Sequence, residues 1–298
     1  MMAEHERTPL FLSVSKKRNK IEILLKFIMW ISTALTFSLI VLIIYYILFN
    51  GLPWLSFNFI KNSYSELHPK ESGILPMIIN TLYVVIITLL IVTPIGVGST
   101  IYLVFYARRV WVTKMVKIAS EILSGIPSII FGLFGYYVFC SGLKLGTSIL
   151  SGCLTMVLCL LPTVIRTSEE ALRTVPKTYF EAASSLGASK LKIILKLILP
   201  NALSGIFTGI VLCAARVIGE SAALIYTAGM AYSMPRSIFG HVFESGRTLT
   251  LHLYQVAKQA NSKDAFGLAF AASSVLILVI FVLNFVMDII QKVSKRNR

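Results

Sequence analysis

Charge is scarce in this chain, and acid is the scarcer kind. Of 298 residues only 14% are charged, and 13 acidic side chains stand against 28 basic ones. Cysteine and histidine are equally sparse. Cys140, Cys153, Cys159 and Cys213 all fall inside apolar runs, with no Cys-x-x-Cys spacing, and His5, His68, His241 and His252 are scattered. That pattern excludes a disulfide framework and offers no histidine metal constellation, so the cysteines read as small core residues. A G-x-x-x-x-G-K-[ST] phosphate loop is also missing, so the chain is not expected to hydrolyse a nucleotide itself. The formal charge of +15 would suit nucleic acid if it covered one soluble face. It does not: the basic residues sit in short connections and at the two ends.

What the chain has in quantity is apolar sequence, 56% of its residues. Crossing a bilayer takes about 20 apolar residues, and several runs are that long. Six spans are expected, over about 27–49, 75–106, 119–141, 146–165, 202–226 and 266–290, making an all-α polytopic membrane protein. The first is too long for a cleaved leader and is read as retained. Trp54, Phe57 and Phe59 after it suit an interfacial anchor. Pro94, Gly96 and Gly98 interrupt the second span, and breaks at membrane depth are tolerated where neighbours or a cavity satisfy the freed backbone. The N-terminal tail (1–26), the 107–118 loop with Arg108, Arg109, Lys114 and Lys117, the 166–200 stretch and the C-terminal tail (291–298) carry the basic residues. The positive-inside bias puts all four in the cytoplasm. Residues 228–265 are too polar to span and are expected as an extracytoplasmic loop of short helices, partly dipping into the protein.

The stretch RTSEEALRTVPKTYFEAASSLGASKLKIILKLILP, residues 166–200, is the longest polar-containing insertion. Pro176 predicts a helix start, Leu186-Gly187 a stop, and Ser189 a second start. Small residues Ala182, Ala183, Ser184 and Ser185 would let another protein's backbone approach closely. Glu181-Ala182-Ala183, then Gly187 four residues after Ala183, then Leu199-Pro200 closing the spacing, resemble the EAA coupling loop of ABC importer permeases. The resemblance implies a cytoplasmic helix-turn-helix that inserts into a cleft of an ATPase subunit, with Glu181, Ala182, Ala183 and Gly187 at its heart. It also implies a type I permease-like fold with its core over about 75–290. From the residues alone, an interfacial amphipathic helix with no partner remains the alternative.

The fifth span carries charge. Arg216 lies about 24 Å along a helix begun at Pro200, at a depth where arginine should face protein or water rather than lipid. Glu220 at i+4 would share its face on a continuous helix, within pairing reach. The pair is open to two readings, a structural ion pair or an anion gate in which the guanidinium grips oxyanion oxygens. The run Ser124 to Gly135 (SGIPSIIFGLFG) is likewise open. Gly125, Pro127, Gly132 and Gly135 either permit a kink and close helix packing, or break the helix so that backbone donors meet an anion beside Arg216.

SGIPSIIFGLFG, ARVIGESAA (215–223), the YTAG that follows at 226–229 and LHLYQVA (251–257) resemble the permeases of phosphate-specific importers, the PstA type more than the PstC type. Ser221-Ala222-Ala223 departs from the Thr-Ala-Pro-like run expected there, which puts the details of the site in doubt. The resemblance implies a substrate path past Arg216 and Glu220, no cofactor of its own, and ATP bound by a partner. It further implies a PstC-type paralogous permease, a PstB-type ATPase dimer and a PstS-type extracytoplasmic phosphate-binding protein as partners, in a bacterial inner membrane with both termini cytoplasmic. A permease for phosphonate, sulfate or molybdate would share the architecture. An ion-coupled secondary transporter would instead call for paired inverted repeats, which the sequence does not display.

Overall fold

In a computed structural model the chain is described over residues 16–64, 72–107, 109–235, 237, 240–259 and 263–296, all helix and connection with no strand among them. His5, His68, Arg108, Arg236, Arg298 and the first fifteen residues of the N-terminal tail lie outside these residues. Two compact units form, residues 1–49 and 50–298. The first is built on α1 (Lys16–Gly51), charged in its first turns and, beyond Lys26, apolar around its whole circumference, as suits a helix surrounded by lipid. Lys26 pairs with Glu22 at 2.8 Å, one turn away near its start.

The second unit holds the remaining elements. These are the short α2 (Phe57–Lys61), α3 (Leu75–Ile101), α4 (Val110–Gly125), α5 (Ser128–Gly135), α6 (Ile149–Arg173), α7 (Lys177–Ser185), α8 (Lys190–Ile193), α9 (Leu199–Gly219), α10 (Leu224–Thr227), α11 (Leu249–Gln259) and α12 (Lys263–Arg296). A π-helical stretch extends α3 through Tyr106, another extends α5 through Gly142, and a third (194–198) fuses α8 to α9. Among the described residues five helical segments are long and apolar enough to cross a membrane. A sixth arises if α4 and the extended α5, bent by 102°, count as one.

Parallel and antiparallel order follows from side-chain contacts. The Cys153 thiol reaches the Val84 carbonyl at 3.8 Å, and further along Thr100 Oγ1 reaches the Ile165 carbonyl at 3.2 Å, so α3 and α6 run the same way. Gly205 lies against Ala171 and Gly209 against Thr167, so α9 runs back along α6. Gln291 on α12 donates to the Ser204 carbonyl at 3.0 Å, so α12 again follows α6. Inside a bilayer there is no hydrophobic drive between helices; small residues and close packing hold them instead. Cys153, Met156, Leu160, Cys213 and Ala214 therefore form the central packed layer, with all four cysteines free and buried.

Several expectations need correcting. The third span is not a straight helix over 119–141: Ile126 and Pro127 are both extended and split it. Proline lacks the N–H that would continue the ladder, and it disfavours helical conformation in the residue before it. The fourth span runs on to Arg173 rather than ending near 165, and the fifth begins at Lys190 rather than near 202, while the helix-turn-helix expected between them is present. Phe59 is no interfacial anchor but packs with Ile74, Met77 and Leu249, whereas Phe57 is exposed. Helix α12 continues through 291–296, where a tail was expected.

Candidate functional site

Helix α9 stops one residue short of Glu220, whose backbone is extended (φ −82°, ψ 126°). The expected Arg216–Glu220 face of one helix is therefore absent, and so is the ion pair. The Glu220 carboxylate turns to accept from the amides of Ala222 (3.1 Å) and Ala223 (3.3 Å), satisfying donors at the start of α10. Arg216 instead donates from Nη2 to the Cys159 sulfur on α6 at 3.6 Å. A thiol is a weak acceptor for a group with five N–H donors. No carboxylate lies within ion-pair distance of Arg216 among the described residues, and its side chain is exposed on this chain. Cys159 was missed as a partner because nothing in its apolar surroundings signals one.

The two glycines of α5 make close contacts. A Cβ on Gly132 would lie 2.9 Å from the Ala223 carbonyl oxygen and 3.1 Å from that of Ala222, so only glycine lets α5 reach the Glu220 turn. Gly135 sits against Thr155 of α6, while Gly125 has open space around it. The contact between α5 and the Glu220 turn is thus made by Gly132, in the second turn of α5.

At the other end of α9, Pro176 precedes α7, and Gly187 ends it with φ +77°, the left-handed value that glycine takes at least cost. The amides of Gly187 and Ala188 return to the carbonyls of Ser184 and Ala183, closing the helix end. Phe180 stacks on Phe105 at 6.2 Å and Lys190 lies 4.7 Å from the Tyr106 ring, seating this hairpin on the end of α3. Glu181 and Ala182 are exposed. Ala183 is turned half inward, against the expectation that it belongs to the small-residue surface. Leu186 projects instead, 88% exposed, with Tyr179 nearby in sequence. In the sequence Leu186 is legible only as part of the helix stop.

Opposite this hairpin, the 228–259 segment folds down onto the first turns of α3 and α6. Asn80 Nδ2 donates to the Arg247 carbonyl at 3.1 Å, which turns its Oδ1 toward His241 Nε2 at 2.7 Å. That nitrogen therefore carries the hydrogen. Glu244 meets His241 Nδ1 at 2.9 Å. Leu249 N–H donates to Thr81 Oγ1, and Thr250 Oγ1 donates to the carbonyl of Ile218, close to Arg216. His252 is buried with Nδ1 unpartnered. Burial, and secondarily the Arg247 charge, push its pKa down to about 3.

Residues 93–297 match the family described as the binding-protein-dependent transport system inner membrane component. The chain belongs to this family. Among relatives of the permease, a probable ABC transporter permease protein, YqgI of Bacillus subtilis, is 35% identical over 250 residues, covering 80% of this chain and 84% of the relative. The phosphate transport system permease protein PstA of Pasteurella multocida is 30% identical, covering 90% and 92%. That of Haemophilus influenzae is 32% identical, covering 81% and 83%. In fold the permease is similar to a chain of a bacterial alginate ABC transporter (TM-score 0.61, 15% identity, 91% and 93% covered) and to one of the MetNI methionine transporter (0.56, 18%, 74% and 94%). The permease is a multi-pass inner-membrane protein with the helical architecture of ABC importer permeases.

Proposed function

We propose that the permease is the PstA-type subunit of an ATP-driven inorganic phosphate importer. The observation that carries the reading is Arg216, in the last turn of a membrane helix, held among the described residues by a thiol and exposed on this chain. Insertion scales put an arginine at the bilayer centre at about +2.5 to +3.5 kcal/mol, so this side chain must face water or another protein. A PstC-type paralogue on that side would place it in a shared path, where its donors fit phosphate oxygens. Glu220 acts by shaping the turn beside it rather than by neutralising it.

The α7 hairpin docks on a PstB-type ATPase dimer, which binds and hydrolyses ATP, through Glu181, Ala182, Tyr179 and Leu186. The basic connections support a cytoplasmic hairpin and cytoplasmic termini, which leaves the 228–259 segment to receive a PstS-type binding protein. Proteoliposomes holding the full complex test this by phosphate uptake. Arg216→Gln should keep ATP hydrolysis and lose uptake; normal uptake would overturn the role of Arg216. Uptake of sulfate, molybdate or a phosphonate but not phosphate would keep the permease and replace its substrate.

A further inference from the structure

Helix α4 presents its surfaces the wrong way round for a membrane-facing helix packed on a dry core. Val110, Trp111, Met115 and Ile122 point outward and are exposed. Lys117, Ser120, Glu121 and Ser124, with Val116, line an open cleft of about 530 Å³ whose opposite wall is mostly α6. Water occupies about 30 Å³ per molecule in the liquid, so this is room for more than a dozen. Such a wet gap gives α4 little packing on its inner side. At one end α4 hangs from the extended Ile126–Pro127 break.

Among the described residues one ionic contact crosses the gap. Lys117 Nζ lies 3.1 Å from Glu169 Oε1, and Arg173, one turn further along α6, reaches the same oxygen at 2.8 Å. The Glu169 side chain is only 14% exposed, whereas Lys117 and Arg173 are about half exposed. Arg173 is the last residue of α6 before the turn into α7. One carboxylate oxygen therefore ties α4, one wall of the cleft, to the base of the α7 hairpin.

We propose that Lys117–Glu169 is a latch through which α7 controls the position of α4, with Arg173 competing for the same carboxylate. This deepens the permease reading above and rests on it. Arg173 already shares the oxygen at 2.8 Å, so displacement of α7 that withdraws it leaves the carboxylate to Lys117 and closes the cleft, and its return loosens Lys117 and opens the cleft. Glu169 is a positioning residue in this scheme and touches no substrate.

The test uses the full complex in proteoliposomes with Glu169→Gln, Lys117→Gln and the fully charge-reversed set Lys117→Glu, Glu169→Lys and Arg173→Glu, because a lysine at 169 would otherwise face Arg173. Spin labels at Ser120→Cys and Thr167→Cys report the α4–α6 separation without reference to any substrate. Each single variant should broaden or lengthen that distance distribution. Each should also raise ATP consumed per phosphate carried by about two- to fivefold, the factor to which the interaction of a half-exposed ion pair converts. The reversed set should restore both. An unchanged distribution in Glu169→Gln, or a reversed set that folds but restores neither readout, would overturn the latch. Should the unaltered complex carry no phosphate, the substrate reading fails alone, because the distances still decide the latch.

Discussion

Replacing Gly132 by alanine, with Gly125→Ala as its matched control, tests whether the joint between α5 and the Glu220 turn is a close-packed contact. In a helix, alanine is better than glycine by up to about 1 kcal/mol. Gly125 has nothing within 4 Å of its added Cβ, so that change should be neutral or stabilising. At Gly132 the same methyl would meet two backbone carbonyl oxygens, at 2.9 and 3.1 Å, and the Ala223 Cα at 3.1 Å. Backbone cannot rotate aside as a side chain does, and overpacking of this kind costs about 1–3 kcal/mol. Set against the helix gain, Gly132→Ala should be destabilised by up to about 2 kcal/mol, and should lie about 1–3 kcal/mol below Gly125→Ala. Denaturant unfolding of the detergent-purified complex measures the difference. Because the pushed backbone is the turn that Glu220 caps, uptake should fall in Gly132→Ala at unchanged ATP hydrolysis. Equal stability of the two variants would refute the packed joint.

Three further outcomes are expected. His252 binds a proton less readily folded than unfolded, so stability is full above about pH 6.5 and drops as the pH falls toward 3, by about 2 kcal/mol at pH 5; unfolding midpoints across pH measure it, and His252→Leu should flatten that limb. Asn80→Ala strands the buried His241 Nε2 hydrogen and the Arg247 carbonyl, at a cost of about 1–3 kcal/mol in the same unfolding assay. Gly187→Val forces a β-branched residue to φ +77° at about 1–2 kcal/mol; co-purification of the ATPase should weaken, more than with Gly187→Asn, which tolerates that conformation.

How far the sequence could be read depended on whether local chemistry decided the outcome. Pro176 and Gly187 act on their own backbone, so both ends of α7 were legible. Long apolar runs located five of the membrane segments for the same reason. The Arg216–Glu220 pair was not legible, because i+4 spacing assumes that the helix continues. Gly219 and the capping of Ala222 and Ala223 by Glu220 end it, and that depends on α5 lying close enough to hold the turn. The bend at Ile126–Pro127 was visible as a break but not as a near right angle. Cys159 beneath Arg216 and Glu169 across from Lys117 are pairings between distant parts of the chain, which spacing along one helix cannot reveal. Ala183 turned inward because Phe180 seats on Phe105, a contact between residues far apart in sequence.

Helix α6 joins these places into one mechanical part. Fourteen residues separate Cys159, beneath the arginine, from Arg173, at the root of the hairpin, a rod of about 21 Å at 1.5 Å per residue. Pivoted near Arg173, a tilt of about 10° would carry Cys159 sideways by roughly 3.7 Å, about the reach of the thiol contact itself. Pro162 lies within that rod and removes one rung of its ladder. The lever therefore has a soft point just below its working tip, and the stiffness of a single turn sets how much of the stroke delivered at the hairpin arrives at the guanidinium.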